Sequence, residues 1–144
     1  MVRVILVDLA VLFEARPGAG VDFFPDVLVA LDRWRDMGAT VVGVSTDASR
    51  YGSHLSLLSE QSIPVINQPL PRWRQVGAWH DVLADMNQST EQCVFVAGSP
   101  ALMAFARQAG LHAVGVLRDP HTMAVLDGLW VDGLGDIPWN RLQE

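Results

Sequence analysis

The stretch Val2-Arg3-Val4-Ile5-Leu6-Val7-Asp8-Leu9-Ala10 decides the fold. From Val2 to Val7 it is β-branched and aliphatic, broken by a single arginine. A half-exposed strand would alternate polar and apolar residues. A run that is apolar on both faces reads instead as a central strand of a parallel sheet. The run ends in one acidic side chain, Asp8. In open α/β sheets ligands bind in the crevice beyond the carboxyl ends of the strands. The first strand therefore delivers a carboxylate to the place where a nucleophile or a metal ligand is used.

Outward from this strand, short apolar runs recur at regular spacing with amphipathic segments between them. Strands are expected at Arg3–Val7, Thr40–Ser45, Pro64–Ile66, Cys93–Ala97 and Ala113–Leu117, with a short one at Leu129–Val131. A helix is expected from Pro25 to Met37, with Val27, Leu28, Leu31, Trp34 and Met37 on one face. Pro25 suits its first turn and Gly38 its C-terminal cap. Further helices are expected at Ala48–Ser59, Val76–Met86 and Pro100–Ala109, the last capped by Ser99 and closed by Gly110. Strands alternating with helices imply crossover connections, a parallel sheet and helices on both faces. The expectation is an α/β chain folded as a three-layer α/β/α sandwich with a central parallel sheet, one domain over residues 1–144.

Composition narrows the classes of function. Half of the 144 residues are hydrophobic and the net charge is −6, with no dense basic cluster, which argues against nucleic acid as a main partner. No apolar run reaches the roughly 18–20 residues of a membrane span, and Asp8 interrupts what would be the apolar region of a secretory signal. A cytoplasmic protein is the simple expectation. One cysteine, Cys93, excludes an internal disulfide and lies in an apolar run, as a buried structural thiol does. All ten basic residues are arginines, a pattern that GC-rich codon usage explains. No mechanism that needs a lysine of this chain is available to it.

Together these segments resemble the haloacid-dehalogenase-like (HAD) superfamily over nearly the whole chain. The first strand ends in Asp8. Residues Phe24 to Asp47 match the helix, glycine and second strand ending in a hydroxyl residue, here Ser45, with Thr46 adjacent. Gln68-Pro69-Leu70-Pro71 stands where the family has Lys-Pro-x-Pro. Val94 to Ser99, a helix, Gly110 and Val114 to Leu117 match the fourth strand and its sequel, and Ala124 to Pro138 matches the usual ending. The resemblance implies a HAD-like Rossmannoid fold. The inserts at the two cap sites, Ala10–Phe24 and the stretch between Ile66 and Val76, are too short for a cap domain. The first is long enough for a hairpin flap through Pro17–Gly20.

The resemblance also implies a chemistry, and its residues are only partly present. Asp8 takes the place of the nucleophile that attacks phosphorus. The acid two residues on, which protonates the leaving oxygen and later activates water, is Ala10. Ser45 or Thr46 would hold a phosphoryl oxygen. The lysine position is Gln68, leaving Arg72 to reach in as the cation. The Gly-Asp pair that helps to hold Mg²⁺ becomes Gly98-Ser99, so Asp8 alone would serve a metal. Asp47 could replace an acid if its loop turned inward. Mg²⁺ usually draws on one or two carboxylates, and loss of a general acid/base typically costs about 10²–10⁴-fold in rate. No cofactor is expected, or Mg²⁺ if the site is active.

Plainer roles stand beside these. Asp8 could cap the next segment, and Ser45, Thr46 and Ser99 are residue types that favour turns and N-caps anyway. His54, His80, His112 and His121 show no metal-ligand spacing, and Asp81 and Asp85 read as a solvated helix face. Trp73, between Arg72 and Arg74, makes Pro69–Arg74 the expected contact surface, since Trp and Arg are enriched at binding hot spots. Trp130 and Trp139 are placed to serve an interface in the same way. The sequence thus points to a HAD-like protein that has lost phosphatase chemistry and works by binding a protein partner or a second copy of itself. The alternative is a divergent phosphatase using Asp8 as nucleophile, and a phosphorylated ligand bound without turnover is a third reading.

Overall fold

The computed structural model describes residues 2–16, 20–118 and 128–142. Strand β1 (Val4–Asp8) is buried along its whole length and lies at the centre of the sheet. It pairs in parallel with β4 (Thr40–Ser45) on one side and β6 (Cys93–Ala97) on the other, so Val4 faces both Thr40 and Cys93. Beyond them lie β5 (Val65–Asn67) next to β4, β7 (His112–Val116) next to β6, and β8 (Trp130–Val131) at the far edge. All six are parallel, in the order β5-β4-β1-β6-β7-β8. The order reverses direction at β1, which makes the crevice at its carboxyl end a switch point.

Alternate residues of β1 feed two cores. Ile5 and Val7 pack with α2 (Val27–Asp36) through Val27, Leu31 and Trp34, and with Leu58 of α3 (Leu55–Glu60). Val4 and Leu6 pack on the other face with Trp73 of α4 (Leu70–Trp73), Trp79 and Val82 of α5 (Val76–Asp85), and Met103 and Ala106 of α6 (Pro100–Gln108). This is the expected three-layer sandwich. No cap domain occurs among the described residues. Between β1 and α2 the chain forms a one-turn helix α1 (Leu9–Leu12) and a small hairpin of β2 (Phe13–Arg16) and β3 (Gly20–Phe23). Gly38 and Gly110 close their helices with φ of +84° and +91°, the left-handed conformation that glycine enters without a Cβ penalty.

Several expectations need correction. The helix expected over Ala48–Ser59 is broken: residues Ala48–His54 form 3₁₀ turns kinked at Gly52, and only then does α3 begin. Leu28, expected on the buried face of its helix, is 49% exposed, because Ala30 takes the inward place on α2. Trp73 is no surface anchor. Pro69 to Trp73 form a turn of helix that folds the indole fully inward, 4.7 Å from the Trp79 ring, with its Nε1 donating to the Ser45 carbonyl at 3.2 Å. Trp139, on α7 (Trp139–Leu142), is buried against Trp34 in an edge-on contact of 5.8 Å. Trp130 is half-buried and lies across Gly115, where a Cβ would come within 2.3 Å of the indole. Residues 17–19 of the expected flap turn, His121 and residues 124–127 of the expected tail lie outside the described residues.

Candidate active-site crevice

At the end of β1 the chain turns sharply into α1, and Asp8 caps that turn. Its Oδ1 accepts the Ala10 amide at 3.0 Å. Its Oδ2 accepts the Gly98 amide, from the end of β6, at 3.1 Å. Each carboxylate oxygen thus accepts one backbone amide of a neighbouring loop. The side chain is only 6% exposed. Burial pushes its pKa up from the ordinary 3.8, and the two amides and the Arg50 charge offset this only in part.

Gly98 is placed for contact rather than for turning. A Cβ there would meet Asp8 Oδ2 at 3.1 Å and Val11 at 3.2 Å, so the glycine lets the amide approach the carboxylate. Ser45 ends β4 beside this point and is buried. Its Oγ accepts the Asp47 amide at 3.1 Å. Asp47 in turn caps the 3₁₀ segment, accepting from the Ser49 amide at 3.2 Å. Ser99 caps α6 through the Leu102 amide at 3.3 Å.

Six of the expected residues meet in one cavity of about 280 Å³: Asp8, Ala10, Ser45, Thr46, Asp47 and Ser99. Gly98 supports it from behind Asp8. Gln68, Trp73 and Arg72 do not line it. Gln68 holds its Oε1 buried with no hydrogen-bond partner among the described residues. Arg72 is corrected as the candidate cation. Its guanidinium is drawn outward to Asp81 at 3.1 Å and to Gln75 at 3.0 Å.

The cation in the cavity wall is Arg50, with Tyr51 next to it. The Tyr51 hydroxyl has its pKa pushed up, first by burial and then by the Asp8 charge. Reading 48–59 as one continuous helix hid this pair. Gly52, three residues before Leu55, is the sequence signal that the helix breaks and turns its first half toward the crevice.

For a Mg²⁺ ion the cavity wall offers two carboxylates, Asp8 and Asp47, both of which already accept backbone amides. Such an ion wants an octahedron of hard oxygens anchored by one or two carboxylates. Here the central carboxylate already holds two amides, and the other acid in the wall, Asp47, is tied to its own turn. No group of three or more His, Cys, Asp or Glu suited to a metal occurs among the described residues. Cys93 is not a reactive group either, since burial raises its thiol pKa to about 12. Among the described residues no helix is long and apolar enough to cross a membrane.

No protein-family model and no curated protein matches the chain. Solved structures do. A D,D-heptose 1,7-bisphosphate phosphatase from B. bronchiseptica, complexed with magnesium and phosphate, superposes with a TM-score of 0.73 at 17% identity, over 98% of each chain. A HAD-superfamily hydrolase of subfamily IA from Geobacter sulfurreducens gives 0.69 at 13%, over 93% of this chain and 96% of that one. The cobalt-bound deoxy-D-mannose-octulosonate 8-phosphate phosphatase from Haemophilus influenzae gives 0.66 at 12%, over 92% and 78%. The chain therefore has the HAD-like fold over nearly its full length, with its crevice at the carboxyl end of β1. At these identities the likeness establishes the fold and leaves the activity to be argued from the site.

Proposed function

We propose that this HAD-fold chain has lost phosphatase chemistry and acts by binding. One observation carries the reading. Asp8, at the nucleophile's position, keeps both oxygens on backbone amides while the neighbouring acid position is Ala10. Attack on phosphorus needs a free carboxylate oxygen, an acid for the leaving oxygen and a cation to screen the two negative groups. The first is partly engaged, since each Asp8 oxygen already accepts one backbone N–H. The second is absent, because the Ala10 methyl carries no proton to give.

The outer face of α2, where Leu28 and Val29 stand 49% and 74% exposed, supports a protein partner or a second copy better than the buried Trp73 does. A cytoplasmic location belongs to the same reading, since a single buried free thiol suits a reducing compartment. A second reading is favoured by the shared cavity of Asp8, Ser45 and Thr46: a divergent hydrolase of phosphate esters, with Asp8 as nucleophile and one of the hydroxyls on a phosphoryl oxygen.

A phosphate-ester panel assayed with and without Mg²⁺, on the wild type and on Asp8→Asn, separates the two. The expected outcome is the same background in all four arms. Metal-dependent turnover that disappears in the variant would overturn the binding reading in favour of the hydrolase.

A further inference from the structure

The outer face of α2 lies away from the crevice and carries a self-complementary pattern. Leu28 and Val29, in its first turn, are exposed, and Val29 is the most exposed large hydrophobic side chain among the described residues. Asp32, Arg33, Arg35 and Asp36 follow on the solvent side of the same helix. Val29 and Asp36 lie two turns apart on one line, and Asp32 and Arg33 flank that line on either side. Arg35 turns to Gln61, whereas Asp32, Arg33 and Asp36 make no ion pair among the described residues. Within the helix this arrangement is locally unfavourable. Asp32 and Asp36 are like charges four residues apart, and Asp36 stands in the last turn, at the negative end of the helix dipole. A cation and a helix N-terminus brought from outside would relieve both.

We infer that the chain forms a two-fold homodimer through α2, packed antiparallel on the α2 of a second copy, with the axis passing between Asp32 and Arg33. The inference deepens the binding role proposed above and rests on it by naming the second copy as the partner.

Such an axis exchanges position 32 with 33 and position 29 with 36. Asp32 of each protomer then faces Arg33 of the other, and the pair is made twice, as an isologous interface requires. Each Asp36 comes beside the first turn of the opposite helix, where a negative charge is favoured. The aliphatic stem of Arg33 is long enough to cover exposed valine surface while its head stays in water. Two acids and two bases cancel on this face, although the chain as a whole carries −6 and disfavours contact with its own copies elsewhere. Beside Val29, between α2 and the 3₁₀ turn Leu134–Asp136, lies a hollow of about 250 Å³ whose wall includes Ala30, Trp34 and Leu134. It gives apolar side chains of a second copy room to sink in. A helix of ten residues is only about 15 Å long, so the contact is at the small end of specific interfaces and the dimer is reversible.

Sedimentation equilibrium of the full chain over a concentration series up to high micromolar tests the inference, with circular dichroism confirming that each variant is folded. The wild type should dimerise. Asp32→Arg and Arg33→Asp should each weaken the dimer more than about tenfold, because like charges then face each other twice. Both changes made in one chain should restore it, since every pair is kept with its signs exchanged. Equimolar mixing of the two single variants should give a heterodimer that neither forms alone. A chain that stays monomeric at every concentration would overturn the inference and leave α2 to a different protein. So would a dimer indifferent to both reversals, or single variants that remain monomeric when mixed. Mass is read here and turnover is not, so a monomer leaves the loss-of-chemistry reading standing, and turnover in the ester panel leaves the dimer to be judged by sedimentation.

Discussion

At the scale of single residues, the contrast between Arg50 and Arg72 shows what spacing can and cannot convey. Asp8, Ser45, Thr46 and Ser99 end strands or follow them directly, so their positions follow from strand register, and they meet in the crevice as expected. Arg72 is near the crevice in sequence register, but a long side chain goes where its charge is satisfied, and Asp81 lies within 3.1 Å on the outside. Trp73 fails as a surface residue for a similar reason: its large apolar ring gains more inside, against Trp79 and Leu6, than in water. Gly98 carries a prediction at this scale. The atoms that an added Cβ would meet, Asp8 Oδ2 at 3.1 Å and Val11 Cγ2 at 3.2 Å, belong to buried residues that have little room to give. Gly98→Ala should therefore destabilise the fold by about 1–3 kcal/mol in urea unfolding, as overpacking does. A variant as stable as the wild type would show that the turn after β6 yields, and that the Asp8–Gly98 bond is looser than its geometry.

At the scale of elements, helices and strands with a single clear period were legible, and the pieces that were missed lack one. Thr40–Ser45 and Cys93–Ala97 form strands within their expected bounds. Helices α1, α4 and α7 are one turn each, too short for any periodicity to show. One tertiary link joins three elements that sequence separates widely. Arg118, just after β7, donates through Nε to the Val11 carbonyl of α1 at 3.0 Å and through Nη2 to Asp26 at 2.6 Å, while its guanidinium lies 4.0 Å over the Phe24 ring. Asp26 in turn accepts the Leu134 amide at 3.0 Å. Burial works to raise the Asp26 pKa, but the Arg118 bond, the Leu134 amide and the Arg118 charge together bring it below the ordinary 3.8.

A depressed carboxylate adds stability that is present above its unfolded pKa and is lost as pH falls through the folded value. Asp26→Asn should thus cost of order 1–2 kcal/mol at neutral pH, allowing for partial solvent screening. The difference from wild type should shrink as pH falls below about 4. Thermal unfolding of both proteins from pH 7 to pH 2.5 reads this directly. A gap that stays constant with pH would mean that the carboxylate's charge contributes nothing and that the staple is one of packing.

For the whole molecule, the central fact is that β1 serves two cores at once. Ile5 and Val7 face the layer of α2 and α3, while Leu6 faces the layer of α4, α5 and α6. This was legible because an uninterrupted apolar strand has no solvent face. The alternation of strands and helices implied a parallel sheet with helices on both faces, but it did not fix the strand order around β1. Neither layer has a sheet of its own, so the two are expected to unfold together. Leu6→Ala tests this coupling. It deletes a fully buried side chain between β4 and β6, and the loss should be about 2–5 kcal/mol, the range for truncating a core leucine to alanine.

The cavity opens only on the α4–α5–α6 side, yet the destabilisation should be felt equally on the other. Trp34 and Trp139 report from the α2 layer, and Trp73 and Trp79 from the opposite one. With single-tryptophan variants that keep one reporter per layer, denaturant midpoints should fall by the same amount on both sides and coincide with the loss of helix. A midpoint that moves only for the Trp73–Trp79 layer would mean that the layers are separately cooperative. In that case the crevice beyond β1 would be able to change shape without global unfolding.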